Sequence, residues 1–197
     1  MAEFFAAHGA LVGALVVTCI ITAGTPGPNN FIVLTARLSD STKAAFKAYL
    51  GVCLGFPVMV FAVSLIVAHY GDSVIEQLAI IKYLGIAFLL FLSLKLFLAP
   101  PSKVSRQVGM APGFIFVFLF QWTNPKAWAM ASSTAVIAGP DLFYLPALIY
   151  LVVIFPCVGV WFWFGDLLKY RILGTPWERY LNRVLAVLLA LSVLMMI

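Results

Sequence analysis

Two short clusters carry most of the polar chemistry that this chain places inside apolar sequence. They are Thr25-Pro26-Gly27-Pro28-Asn29-Asn30 and Asn124-Pro125-Lys126-Ala127-Trp128. Proline removes a backbone donor and clashes with the turn before it, so neither cluster fits an uninterrupted helix. A helix that stops and restarts leaves unpaired carbonyls on one side of the gap and unpaired amides on the other. The amide end favours an anion such as a carboxylate. Asn29 and Asn30 would either cap the second half-helix or bond a ligand directly. The plainer reading of each cluster is a proline kink healed by neighbouring helices. Two prolines, a glycine and two asparagines within six residues exceed what a kink requires.

Lys126 makes the second cluster the sharper one chemically. Counting from Pro112 at about 1.5 Å per residue, it sits about 21 Å into an apolar layer roughly 30 Å thick. A lysine at that depth costs several kcal/mol unless it is paired or faces water. Snorkelling to the surface is hard from there, so the expectation is an ammonium facing a polar cavity where it could meet a carboxylate. The candidate ligand-binding set is therefore Thr25, Pro26, Gly27, Pro28, Asn29, Asn30, Asn124, Pro125 and Lys126. Gln121 and Thr123 add polarity beside it. Trp122 and Trp128 flank the second cluster and read as packing or interface residues, and Trp161-Phe162-Trp163-Phe164 near Asp166 reads as an interfacial belt.

Other chemistries find little support in the residues. Cys19, Cys53 and Cys157 are dispersed through apolar segments without metal-ligand spacing, and read as small buried hydrophobes. His8 and His69 fall near expected helix ends and read as interfacial. No cofactor is expected. An integral membrane enzyme, such as a lipid phosphatase or redox protein, would need clustered His, Arg, Asp or paired Cys at one membrane face, and the pattern offers none. Nor does any acid fall deep within a span: Asp40, Asp72, Glu76, Asp141, Asp166 and Glu178 lie at or near loops. A proton relay through an intramembrane carboxylate has no obvious carrier, with Asp40 and Asp166 the only mild candidates.

The elements that must position the clusters follow from hydropathy. The 197 residues are 64% hydrophobic and 10% charged, with mean hydropathy +1.09. Soluble domains carry about 25% charged residues, so this composition points to an all-α, polytopic membrane protein. Six spans are expected, at roughly 5–37 with a break near 25–30, 44–69, 74–98, 112–138, 142–166 and 179–197. Glu3 and the lack of a basic leader argue that the first stretch is kept as a span. The net charge of +5 belongs to loops and not to one basic stripe, so nucleic acid is not an expected partner.

The first, third and fifth loops take Arg37, Lys43, Lys47, Lys95, Lys103, Arg106, Lys169, Arg171, Arg179 and Arg183, ten of the 12 basic residues. By the positive-inside rule these loops are cytoplasmic and both termini lie outside. The chain divides into a first three-helix half (1–98), a cytoplasmic linker (99–111) and a second three-helix half (112–197). Three is odd, so the halves enter from opposite sides, the topology of inverted repeats, with the first helix of each half interrupted. Gly9-x-x-x-Gly13 and Gly51-x-x-x-Gly55 permit close helix contacts, more commonly within a chain but also in a homodimer.

Taken together, Ile21-Thr22-Ala23-Gly24-Thr25-Pro26-Gly27-Pro28-Asn29-Asn30 and, about a hundred residues later, Gln121-Trp122-Thr123-Asn124-Pro125-Lys126-Ala127-Trp128 resemble the LysE/RhtB amino-acid exporter family. The Gly51-to-Gly55 stretch, the chain length and the motif positions fit the same pattern. The resemblance implies a secondary transporter of the bacterial inner membrane that exports amino acids or close derivatives, coupled to the proton gradient. Its members differ in substrate among basic, neutral and sulfur-containing amino acids. The residues leave open a structural or assembly subunit with kinked helices and no transport.

Overall fold

A backbone in apolar surroundings has only itself to bond to, and a helix meets that need locally. The computed structural model describes residues 2–38, 41–98, 113–172 and 175–195. Among them are eight α-helices, two short 3₁₀ turns and no strand. The helices are α1 (Ala2–Gly24), α2 (Pro28–Leu38), α3 (Thr42–Tyr70), α4 (Asp72–Phe97), α5 (Phe114–Phe120), α6 (Pro125–Ala138), α7 (Leu145–Arg171) and α8 (Glu178–Leu191). Among the described residues three segments are long and apolar enough to cross a membrane: Ala6–Gly24, Thr42–Tyr70 and Leu145–Arg171. Ile86–Phe97, Phe114–Thr123 and Tyr180–Leu191 are shorter apolar helices. The expected linker at 99–111, with Lys103 and Arg106, and Asp40 lie outside the described residues.

Helix ends follow local chemistry. Ser41 caps α3 by accepting a hydrogen bond from the Ala44 amide at 3.2 Å. The chain leaves α3 at Gly71 (φ +60°) and α6 at Gly139 (φ +71°), a backbone region that a Cβ disfavours. The two breaks are real interruptions. Helix α1 stops at Gly24 and α2 starts at Pro28; α5 passes through a 3₁₀ turn, Gln121–Thr123, to an extended Asn124 before α6 starts at Pro125. Both second half-helices begin on proline, whose missing N–H costs nothing at a first helical position.

Packing crosses the chain's midpoint. Helices α1 and α2 lie on α7, α5 and α6 lie on α3, α3 packs on α7, and α4 packs on α6 and α8. Small residues allow two of these approaches. A Cβ on Gly51 would lie 2.8 Å from the Phe114 carbonyl oxygen, and one on Gly55 would lie 2.8 Å from Phe118 Cα. The Gly51–Gly55 pair is therefore spent on a contact within the chain, whereas a Cβ on Gly9 or Gly13 would meet no described residue within 4 Å. Gly165 of α7 does for α2 what Gly51 and Gly55 do for α5, its Cβ position being 2.8 Å from Arg37 Cβ.

Polarity is arranged with the apolar side outward. Val17, Phe61, Leu65, Leu151, Val152 and Trp163 are exposed, while Asn30, Gln121, Asn124, Lys126 and Thr134 are buried. Cys19 and Cys53 lie fully buried in the main core beside Val52, Phe56 and Tyr150. One sequence expectation is corrected here. Arg37, assigned to a cytoplasmic loop, is a buried residue of α2 whose guanidinium forms an ion pair with Asp166 of α7 and sits 5.3 Å over the Phe162 ring. Basic residues that pair inside a fold do not report on topology, and Arg37's loop assignment does not stand.

Candidate functional site

The first break exposes the C-terminal carbonyls of α1, and side chains from three other elements satisfy them. Asn30 Nδ2 donates to the Ala23 carbonyl at 2.9 Å and to the Thr25 carbonyl at 2.8 Å. Trp161 Nε1, from α7, donates to the Gly24 carbonyl at 2.9 Å. Lys126 Nζ, from α6, donates to the Thr25 carbonyl (3.0 Å), Thr25 Oγ1 (2.8 Å) and the Pro26 carbonyl (2.8 Å). All three ammonium protons thus have acceptors, and the charge sits at the negative end of the α1 dipole, where a cation is favoured. Gly27 leaves room for the lysine stem: a Cβ there would lie 2.7 Å from Lys126 Cδ.

A chain of amides joins the two breaks. Asn124 Oδ1 caps α6 by accepting from the Lys126 amide at 3.1 Å, and Asn124 Nδ2 donates to Asn29 Oδ1 at 3.0 Å. Asn29 Nδ2 donates to Gln121 Oε1 at 2.6 Å, and Gln121 Nε2 donates to the Val117 carbonyl at 2.9 Å. Each amide donates to the next, so the network has one direction and both breaks share it. The first α-helical bond of α2 runs from the Phe31 amide to the Gly27 carbonyl, which leaves the Asn29 and Asn30 amides without an intrahelical acceptor.

Gly27, Pro28, Asn29, Asn30, Asn124 and Lys126 line one cavity together with Thr22, Val52, Phe56, Met130, Ile154 and Val158. Its polar wall is the first turn of α2 and the start of α6, and its apolar wall comes from α3, α6 and α7. The space amounts to about 20 Å³, on the order of one water. Two helix N-termini and an ammonium on one wall suit a carboxylate. Among the described lining residues there is no acid. Of the nine sequence-derived residues, Gly27, Pro28, Asn29, Asn30, Asn124 and Lys126 line the cavity, and Thr25 and Pro26 hold the Lys126 ammonium. Pro125 is buried at the start of α6 and does not line the cavity.

Several contributors escape the sequence. Gln121 was noted only for its polarity, yet it is fully buried and completes the amide chain. Trp161, read as an interfacial ring, is partly buried and closes the end of α1; the belt reading holds better for Trp163, which is exposed. Tyr150 is fully buried, shares a 2.9 Å hydrogen bond with Thr22 Oγ1, and meets Phe56 edge-on at 4.8 Å. A tyrosine in an apolar run carries no local signal of such a partner. An indole beside an acid gives none either.

Apolar helices wrapped around a polar centre of two broken helices define a helical membrane protein with a discontinuous-helix site. Comparison with known proteins shows what the chain is similar to. Over 122 residues the chain is 29% identical to the leucine efflux protein of Salmonella typhimurium, a match covering 59% of this chain and 55% of that one. Over 120 residues it is 29% identical to the cysteine/O-acetylserine efflux protein of Salmonella typhi, covering 59% of each. The chain spans under two thirds of the length of the curated relatives it matches. No family model and no solved structure matches. The likeness to LysE/RhtB amino-acid exporters is borne out by these relatives.

Proposed function

We propose that the protein exports amino acids or close derivatives across the bacterial inner membrane as a secondary transporter. The observation that carries this reading is the shared cavity: the first turns of α2 and α6, about a hundred residues apart in sequence, meet there with Lys126. The efflux activity in the names of its relatives supports the direction of transport and a non-enzymatic role. In this reading the substrate carboxylate binds at the Asn29 and Asn30 amides, with Asn124 and Lys126 close by. The apolar wall takes the side chain. In this reading alternating access would enlarge the cavity and open it to each side in turn.

The architecture proposed for this mechanism is six spans in two inverted halves, 1–98 and 112–197, joined by a cytoplasmic linker at 99–111, with both termini outside. Exchange of packing partners supports it: the broken helix of each half lies on the unbroken second helix of the other. Those second helices, α3 and α7, each contain an internal Phe-Pro step, Phe56-Pro57 and Phe155-Pro156. Proteoliposomes loaded with labelled basic, neutral and sulfur-containing amino acids test the function. Saturable efflux of at least one supports export. No flux with any of them would favour a structural subunit, and chemical turnover without flux would favour an enzyme.

A further inference from the structure

A buried ammonium normally finds a carboxylate, because neutral acceptors meet its hydrogen bonds but leave its charge uncompensated. Lys126 is 5% exposed and holds three neutral oxygens, two of them backbone carbonyls and one the Thr25 hydroxyl. Among the described residues no carboxylate pairs with it; Asp166 pairs with Arg37 instead. The titratable side chains buried in the core that α6 packs into are Cys19 on α1, Cys53 on α3 and Tyr150 on α7, with Tyr49 and Cys157 partly buried at its edge. None of them bonds to Nζ. Lys126 is therefore a cation without a paired carboxylate, and the first turn of α2 lines the same cavity.

An α-amino acid brings a carboxylate that answers both, together with an ammonium on the same carbon. The acceptors around Nζ have the number and type that any primary ammonium requires, three oxygens for three N–H donors. We propose that the Thr25 carbonyl, Thr25 Oγ1 and the Pro26 carbonyl form a primary-ammonium subsite. Lys126 fills it while the site is empty, and the amino group of the exported substrate takes it over. The lysine then turns to the substrate's carboxylate at the starts of α2 and α6, its stem moving over Gly27, where there is no Cβ to stop it. The exchange is charge-neutral: one ammonium replaces another at the oxygens, and the displaced one gains a carboxylate. This inference rests on the export reading for the identity of the incoming amine, but not for the existence of the subsite.

Ethylammonium chloride is the probe, with tetramethylammonium chloride as a salt that cannot donate a hydrogen bond. In detergent, the wild-type unfolding midpoint should respond equally to both. The Lys126→Ala variant vacates the subsite, and ethylammonium alone should raise its midpoint by roughly 3 °C. Adding Thr25→Val to that variant removes one acceptor and should abolish most of the rise. If Lys126→Ala does not accumulate, selective recovery of folded monomer when ethylammonium is present during purification reads the same property. Leucine and the other amino acids of the efflux panel are then added to Lys126→Ala against ethylammonium. An amino acid that wild type exports should compete, and its deaminated acid (4-methylpentanoate for leucine) should not. No ethylammonium-selective response overturns the subsite while leaving wild-type efflux, and the export reading, untouched. A selective response without competition by any exported amino acid overturns the substrate's part in it. A selective response with no wild-type efflux at all overturns the export reading, and the substrate clause with it.

Discussion

The contact between α3 and α5 offers a sharp test, because its geometry predicts both a magnitude and a route to the site. A methyl group on Gly55 would sit 2.8 Å from Phe118 Cα and 2.8 Å from the Phe118 carbonyl oxygen, and 3.2 Å from Gln121 Cγ. Ordinary contact begins near 3.4 Å, so the helices must separate by about half an ångström. The obstructing atoms are backbone, and a rotamer change cannot clear them. Overpacking of this kind costs about 1–3 kcal/mol. The displaced segment carries Gln121, whose 2.6 Å bond from Asn29 links the two breaks. Gly55→Ala is therefore expected to lower the unfolding midpoint by several degrees, roughly 2–4 °C per kcal/mol for a chain of this size, and to reduce efflux beyond what lost folded protein explains. Gly13→Ala, at a position with nothing within 4 Å, should change neither quantity. Efflux is measured in proteoliposomes matched for folded protein, and stability by tryptophan fluorescence in detergent. A Gly55→Ala protein as stable and active as Gly13→Ala would refute the argument that this contact sets the separation of the helices and the geometry of the amide chain.

Three further outcomes follow from single contacts. Arg37→Ala leaves Asp166 partly buried without its partner, and Asp166→Ala does the converse. Each should cost about 2 kcal/mol, and the double variant should cost less than the two losses added together, as measured in a double-mutant cycle. Trp161→Phe keeps an aromatic ring but removes the donor to the Gly24 carbonyl. A loss of about 1 kcal/mol is expected, and no loss would mean the indole bond is replaced by solvent. Asn30→Asp substitutes an acceptor for the donor that holds the Ala23 and Thr25 carbonyls. It should lower the yield of folded protein more than Asn30→Ala, because it sets a carboxylate against two carbonyl oxygens; equal yields would remove Asn30 as the clasp of the first break.

Much of the helical organisation was legible because apolar length and proline act locally. Most described helix ends fall close to the expected boundaries, although α7 runs on to Arg171 and α8 stops at Leu191, and both Pro28 and Pro125 begin a half-helix, as a residue without an N–H can. Depth in the apolar run also marked Lys126 as a residue that needs partners. The identity of those partners was not legible. Thr25 and Lys126 are 101 residues apart, Asn29 and Gln121 are 92 apart, and Trp161 and Gly24 are 137 apart. Charge counting likewise placed Arg37 in a loop, since a basic residue near a span end looks the same whether it faces water or Asp166.

From sequence alone came a helical, membrane-embedded chain, the places where its helices must break, and the polar groups left at those breaks. These are consequences of composition and of backbone chemistry over a few residues, and no fold is needed to read them. Only the tertiary structure decided that both breaks open on one cavity, that an amide chain joins them, and that the lysine of one break closes the carbonyls of the other. A donor buried in apolar surroundings must find an acceptor, but which acceptor it reaches depends on how distant helices cross, and the spacing of small residues such as Gly51, Gly55 and Gly165 expresses that crossing only once the helices are packed.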